Sequence, residues 1–163
     1  MPRRKNTAGD TLIARGSYRI QITEQGNVIG DSGWKHNTVV NDGFRTYLQF
    51  AMIGSAGSKT VGYGALGTGT AAIASNDTSL TGELTDATNC RCVVTSGTSG
   101  SRTVTFTFTL ASNVITAAKT IGNVGLFSSN VTNTAGMFSA ALYGTSSLAT
   151  NQAVNATYQI SFA

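Results

Sequence analysis

The clearest signal in the chain is alternation. In RTVTFTFTL (102–110), Val104, Phe106, Phe108 and Leu110 fall on one side and threonines on the other. That period of two is the mark of a strand with one face on a core. SYRIQIT (17–23) alternates in the same way, with Tyr18, Ile20 and Ile22 together. The EQGN that follows predicts a hairpin turning at Gly26-Asn27 into VIGDSGWKH. CRCVVTSG and SRTVTFTF flank SGTSG and predict a second hairpin with a longer loop. TIGNVGLFSS (120–129), AGMFSAALYG (135–144) and VNATYQISFA (154–163) complete the strands, parted by the turn-rich SNVTNT and GTSSLATNQ.

One segment departs from this period. NDGFRTYLQFAMIG (41–54) has helical spacing: Phe44, Tyr47, Leu48, Ala51 and Met52 form one stripe, on a helix expected to cover an end or edge of the sheets. Asp42 stands near its start and Gly54 at its stop. The expected architecture is therefore all-β, an antiparallel β-sandwich of jelly-roll-like kind with one short helix near 42–53. At 163 residues the chain reads as a basic N-terminal arm (1–15) and a single sandwich domain (16–163).

Charge sharpens that division. Only 11% of residues are charged, against about 25% in ordinary soluble domains. The net +4 lies mostly in the first 15 residues, where Arg3, Arg4, Lys5 and Arg15 stand against Asp10. The plain reading of this arm is a solvated tail; as candidate partner-docking residues the four cations suit a protein neighbour better than nucleic acid. A body so poor in charge suits packing against other subunits. No apolar run reaches the ~18–20 residues of a membrane span, and no apolar segment follows the first charges as a secretory signal would require.

Catalytic chemistry finds little support in the residues. His36 is the only histidine, beside Trp34 and Lys35, with no triad signature around it. The seven acids are scattered, without a carboxylate pair or a calcium-loop spacing. Cys90 and Cys92, two apart in NCRCVV, read as small buried hydrophobes in a reducing compartment, since i, i+2 on a strand is at or beyond disulfide reach. GYGALG (62–67) matches the dinucleotide fingerprint literally, but no helical stripe follows it. No catalytic, cofactor or metal residue is expected, and no small-molecule substrate.

With the strands placed, the order of features resembles a group of small tailed-bacteriophage virion structural proteins. Those carry a segment hN-h-V-N-x-G before a short helix, here within KHNTVVNDGFRTYLQF. They then carry GTGT, a DT-x-L-x-x-E-L spacing, and a GLF strand. Here these are Gly67-Thr68-Gly69-Thr70, Asp77-Thr78, Leu80, Glu83-Leu84, and Gly125-Leu126-Phe127. Asn123 departs from the pattern, where the family usually has Glu. The resemblance spans residues 17–163 and implies a structural subunit of the particle: tail, neck, fibre-adaptor or head decoration. It implies virion localisation after synthesis in the host cytoplasm, with other virion proteins and copies of itself as partners. A receptor- or glycan-binding module on a fibre is the alternative, with Trp34, Tyr63 and Tyr143 as its candidates. The family marker LGTGTAAIASNDTSLTGEL reads as a fixed loop. In it Asp77 caps one helical turn ending near Leu84, Leu80 and Leu84 reach the core, and Gly67 and Gly69 supply unusual backbone conformation.

Overall fold

The computed structural model describes residues 13–53, 59–86, 90–98 and 102–163, without side chains at 42, 50, 51 and 53. Its strands are β1 (Ala14–Glu24), β2 (Asn27–Asp31), β3 (Lys35–Val39), β4 (Tyr63–Gly67), β5 (Cys92–Val93), β6 (Thr95–Thr98), β7 (Thr103–Leu110), β8 (Lys119–Phe127), β9 (Met137–Leu148) and β10 (Ala153–Phe162). The helix α1 (Asn41–Ile53) follows β3. Every strand pairing is antiparallel.

Two corners nearly close the sheet into a flattened barrel. β3 pairs with β1 through Lys35–Asn37 and with β9 through Thr38 and Val39. The run 92–98 does the same on the far side: β5 pairs with β4, β6 with β7, and the Val94 amide between them donates to the Gly62 carbonyl. Between these corners lie β9-β8-β4 on one wall and β1-β10-β7 on the other. Closure removes most of the unpaired strand edge that an open sheet would expose.

Alternation placed the inner faces correctly. Tyr18, Ile20 and Ile22 from β1 meet Val154, Ala156, Tyr158 and Ile160 from β10, with Phe108 and Leu110 from β7 in the same buried cluster. β8 and the start of β9 are buried on both faces, which their continuous apolar and small residues allow. The outer face of that wall carries a second, smaller core of Val40, Ala65, Leu80, Phe127, Met137 and Ala140. It is covered by the long β4–β5 loop.

Three local readings change. The first hairpin turns at Gln25-Gly26, one residue earlier than expected, with φ of 49° and 82°. Two successive positive φ values make a primed turn, whose twist matches the strands, so the glycine takes its second position. No helical turn forms over 77–84. The Asp77 carboxylate instead accepts the Ala74 amide upstream at 2.8 Å, closing a turn ahead of it. Gly67 and Gly69 do not have positive φ. They lie where the loop crosses β8: a side chain at Gly69 would strike the Thr81 carbonyl, and one at Gly67 the Asn123 side chain. Close approach, not conformational freedom, requires them. Asn123 is buried there, and its Nδ2 donates to the Thr81 carbonyl at 3.0 Å.

The helix packs on the start of β9, and its placement matters most for function. α1 meets β9 through Gly43 and Tyr47: Gly43 lies directly on the Phe138 backbone, and Tyr47 stacks edge-on against Phe138 at 5.0 Å. The Tyr47 hydroxyl donates to the Gly136 carbonyl at 2.7 Å. Among the described side-chain positions of α1, Gly43 and Tyr47 are the buried ones. Phe44 is half-buried, while Leu48 and Met52 point outward. The close approach at Gly43 gives a test. Gly43→Ala, whose methyl would overlap the Phe138 backbone, is expected to lose about 1–3 kcal/mol in urea unfolding. Gly97→Ala, with open space around it, is expected to stay within about 0.5 kcal/mol of wild type.

Candidate functional site

The sites that sequence reasoning weighed for chemistry resolve into structure. GYGALG forms β4 itself and the residue before it, so no loop is offered to a phosphate. His36 is exposed on β3, opposite Ser17. Among the described residues no cluster of His, Cys, Asp and Glu could hold a metal ion, and no helix is long and apolar enough to cross a membrane. No disulfide joins Cys90 and Cys92. Cys90 is buried, and burial pushes the half-buried Cys92 thiol up to about 12, with Cys90 nearby adding to the effect.

The densest charged constellation went unremarked in the sequence. Arg91 and Glu83 are both fully enclosed and pair with Nε to Oε1 at 2.5 Å and Nη2 to Oε2 at 3.0 Å. The rest of the guanidinium donates to the carbonyls of Ser129 and Thr134, at 2.8 and 3.1 Å. Glu83 also accepts the Asn133 amide at 3.0 Å. The guanidinium carbon sits 3.8 Å over the Phe127 ring. Each of the three guanidinium nitrogens faces an acceptor, and the pair is shut from solvent. Its chemistry is therefore cohesion: it ties the β4–β5 loop, the start of β5 and the β8–β9 connection together.

A hollow of about 520 Å³ beside β5 and β7 is lined by Cys92, Val93, Thr95, Thr107, Phe108 and Val114 among others, and an apolar surface lies at one end of the barrel. Phe44, Leu48 and Met52 form an i, i+4, i+8 row along α1; Met52 is 78% exposed. The row borders a hollow of about 370 Å³ lined by Phe44, Arg45, Leu48, Gln49 and Met52. A second, of about 250 Å³, lies between α1 and Phe138, Phe162 and Lys59. A third, of about 290 Å³, joins Phe44 to Ile13, Ala14, Val39 and Asn41. Ile13 and Ala163 exchange backbone hydrogen bonds here, so the arm departs from the rim of this surface. Arg3, Arg4 and Lys5 lie outside the described residues; Arg15 is exposed on β1, opposite Ser161.

The opposite end carries the β1–β2 turn and the β9–β10 connection. Asp31 is held by Arg19, with the Gly33 amide and Gln21 also donating; Arg19 above all keeps this carboxyl well below the usual range. Glu24 accepts from Asn151 and Gln152 at 2.6 and 3.3 Å, and among the described residues no Lys or Arg forms an ion pair with it. Beside it β2 draws away from the last part of β9. The gap is a hollow of about 210 Å³ lined by Ile22, Ile29, Gly30, Ser146, Ser147 and Gln152. Ile29 is the extra residue of a bulge between Ile22↔Gly30 and Thr23↔Val28, and is 53% exposed. Of the aromatic candidates, Trp34 is exposed between β2 and β3, Tyr63 is half-buried, and Tyr143 is buried with its hydroxyl accepting from Ser146.

Comparison with protein-family models, curated proteins and solved structures returns no match to this chain. The reading of function therefore rests on the residues and their arrangement.

Two outcomes follow from the enclosed groups. Glu83→Gln leaves Arg91 buried without its counter-charge, and is expected to lose about 3–5 kcal/mol in chemical unfolding; the double change Glu83→Leu with Arg91→Met should recover much of that. At pH 8 the native chain should react with a thiol reagent about a thousandfold more slowly at Cys92 than an ordinary thiol of pKa about 8.5–9 does, because so little thiolate is present. Both cysteines should react promptly once urea unfolds the chain.

Proposed function

We propose that this protein is a structural subunit of a bacteriophage particle and acts through protein–protein assembly. The observation that carries the reading is the outward row Phe44, Leu48 and Met52 on α1. A helix whose apolar stripe is wider than its buried face leaves apolar surface that only a partner would cover. The charge-poor, Thr- and Ser-rich walls support it, as does the saturation of the Glu83–Arg91 pair, which leaves that constellation no chemistry to perform. The order of sequence features, with Glu83 and Leu84 both buried at the marker positions, favours a virion component over other assemblies. The arm with Arg3, Arg4 and Lys5, leaving from the rim of the apolar end, acts as a clamp on a neighbouring protein.

A second reading, receptor or glycan binding on a fibre, has one observation in its favour: Trp34 stands 48% exposed on a connecting segment, where a sugar ring would stack. Loss of glycan binding in Trp34→Ala would promote it.

Particles purified from the phage that encodes this chain are expected to contain it in fixed proportion to the major structural proteins, by quantitative mass spectrometry. Its absence from particles would overturn the assignment. Deleting residues 1–12 is expected to leave the circular dichroism of the sandwich unchanged while incorporation falls several-fold; unchanged incorporation would reduce the arm to a tail.

A further inference from the structure

The two ends of the barrel are complementary. The α1 end is a projection: Met52 and Leu48 stand out from the helix, with Arg45 beside them and Lys59 and Arg102 near Phe162. Among the described residues none of the side chains lining the three hollows at this end is acidic. The β2 end is a socket. Ile22, Ile29 and Gly30 make its apolar side, and Glu24 stands at its rim through the hydrogen bond from Gln152. About 210 Å³ is room for one large aliphatic side chain. β1 runs from one end to the other, and the nine steps from Ala14 to Thr23 set the two surfaces about 30 Å apart.

We infer that copies of this chain associate head to tail, the Met52–Leu48 projection of one copy seating in the Ile22–Ile29 socket of the next. The inference rests on the assembly reading above and supplies its contact. Charge selects the copy and its orientation. Pairing two α1 ends about a two-fold axis would set Arg45 against its own counterpart, a like-charge contact that disfavours the isologous arrangement. Head to tail, the Arg45 side meets Glu24. Glu24 has carboxylate charge to offer, whereas Asp31 is already matched by Arg19 and Asp86 by Lys119. The contact is heterologous, so it propagates into a ring or a line. The bulge at Ile29 fits this role: it breaks the ladder where a strand edge would otherwise invite indiscriminate pairing, and turns an apolar side chain into the gap.

Sedimentation velocity on the full chain tests it. Wild type is expected to form species larger than a monomer as concentration rises, and to lose them as salt is raised. Met52→Glu and Ile29→Glu change exposed positions, so each should keep its circular dichroism and melting temperature while association weakens about tenfold or more. The decisive measurement is the mixture. Each variant retains one intact end, so an equimolar mix of Met52→Glu and Ile29→Glu should give one-to-one dimers and nothing larger. Arg45→Glu should weaken association, and adding Glu24→Arg in the same chain should restore it. A monomeric wild type at all concentrations overturns the inference. So does association that Met52→Glu abolishes and Ile29→Glu leaves intact, which would mean that two α1 ends meet. The virion reading fails separately, through absence from particles, and a chain present in particles but monomeric alone would remove only the head-to-tail contact.

Discussion

The loops that cover the outer face of the β4–β8–β9 wall, and the helix anchored on them, depend on the ion pair between Glu83 and Arg91. Glu83 closes the β4–β5 loop, where a single bridge joins it to Gly67. Arg91 precedes β5, the strand that begins the second corner. Through the Ser129 and Thr134 carbonyls and the Asn133 amide, the same pair holds the β8–β9 connection. That connection presents the Gly136 carbonyl to Tyr47, and the loop presents the Ser75 carbonyl to the Asn41 amide at 2.7 Å. The helix is thus anchored at its start by one stapled segment and at its middle by the other. A buried ion pair adds little net stability compared with apolar residues of the same volume. Its use here is specificity: the rigid fork of Arg91 reaches Glu83 and the Ser129 and Thr134 carbonyls together, so those four bonds form only when the two loops keep this relative position.

The sandwich core is separate from this staple, and physically simpler. Strands whose side chains alternate bury one face each, and tyrosines at Tyr18 and Tyr158 fill the centre with rings 5.9 Å apart. Tyr18 donates its hydroxyl to the Leu142 carbonyl across the interior, so β1 and β9 are tied together where β3 has turned aside. The same departure of β2 and β3 from a straight course opens the hollow beside Ile29. Curvature that lets one strand serve both walls therefore also creates the depression on the surface.

This division explains how much was legible in the sequence. The period of two in β1, β7 and β10 gave their inner faces directly, because a strand has only two sides and the core claims one. The stripe on α1 was visible, but its partner was not. Spacing shows that Phe44, Tyr47, Leu48 and Met52 share a face; it does not show that Gly43 brings the helix onto the Phe138 backbone, with Tyr47 packed against the Phe138 ring. The Glu83–Arg91 pair left no local trace, since its members stand eight residues apart across a loop and Arg91 lies between two cysteines like any outward strand residue. The one available signal was Arg91 in a run where both neighbours were expected to be buried. Gly67 and Gly69 were noticed, but a glycine in sequence does not reveal whether φ or a crossing backbone requires it.

A contact built on Met52, Leu48 and a one-residue socket is small. Stable interfaces bury about 1,200–2,000 Å², and a projection of this kind covers much less, so a single head-to-tail contact holds copies only weakly. That weakness suits an assembling subunit. A freshly made chain stays mostly apart in dilute solution, and association gains strength only where a second attachment raises the local concentration of neighbours. The basic arm leaves from the rim of the same α1 surface, so an arm held by an adjacent protein would deliver that second attachment at the place where the projection seats. Charge at the two ends then decides orientation, apolar burial supplies the strength, and the order of events runs from arm to projection.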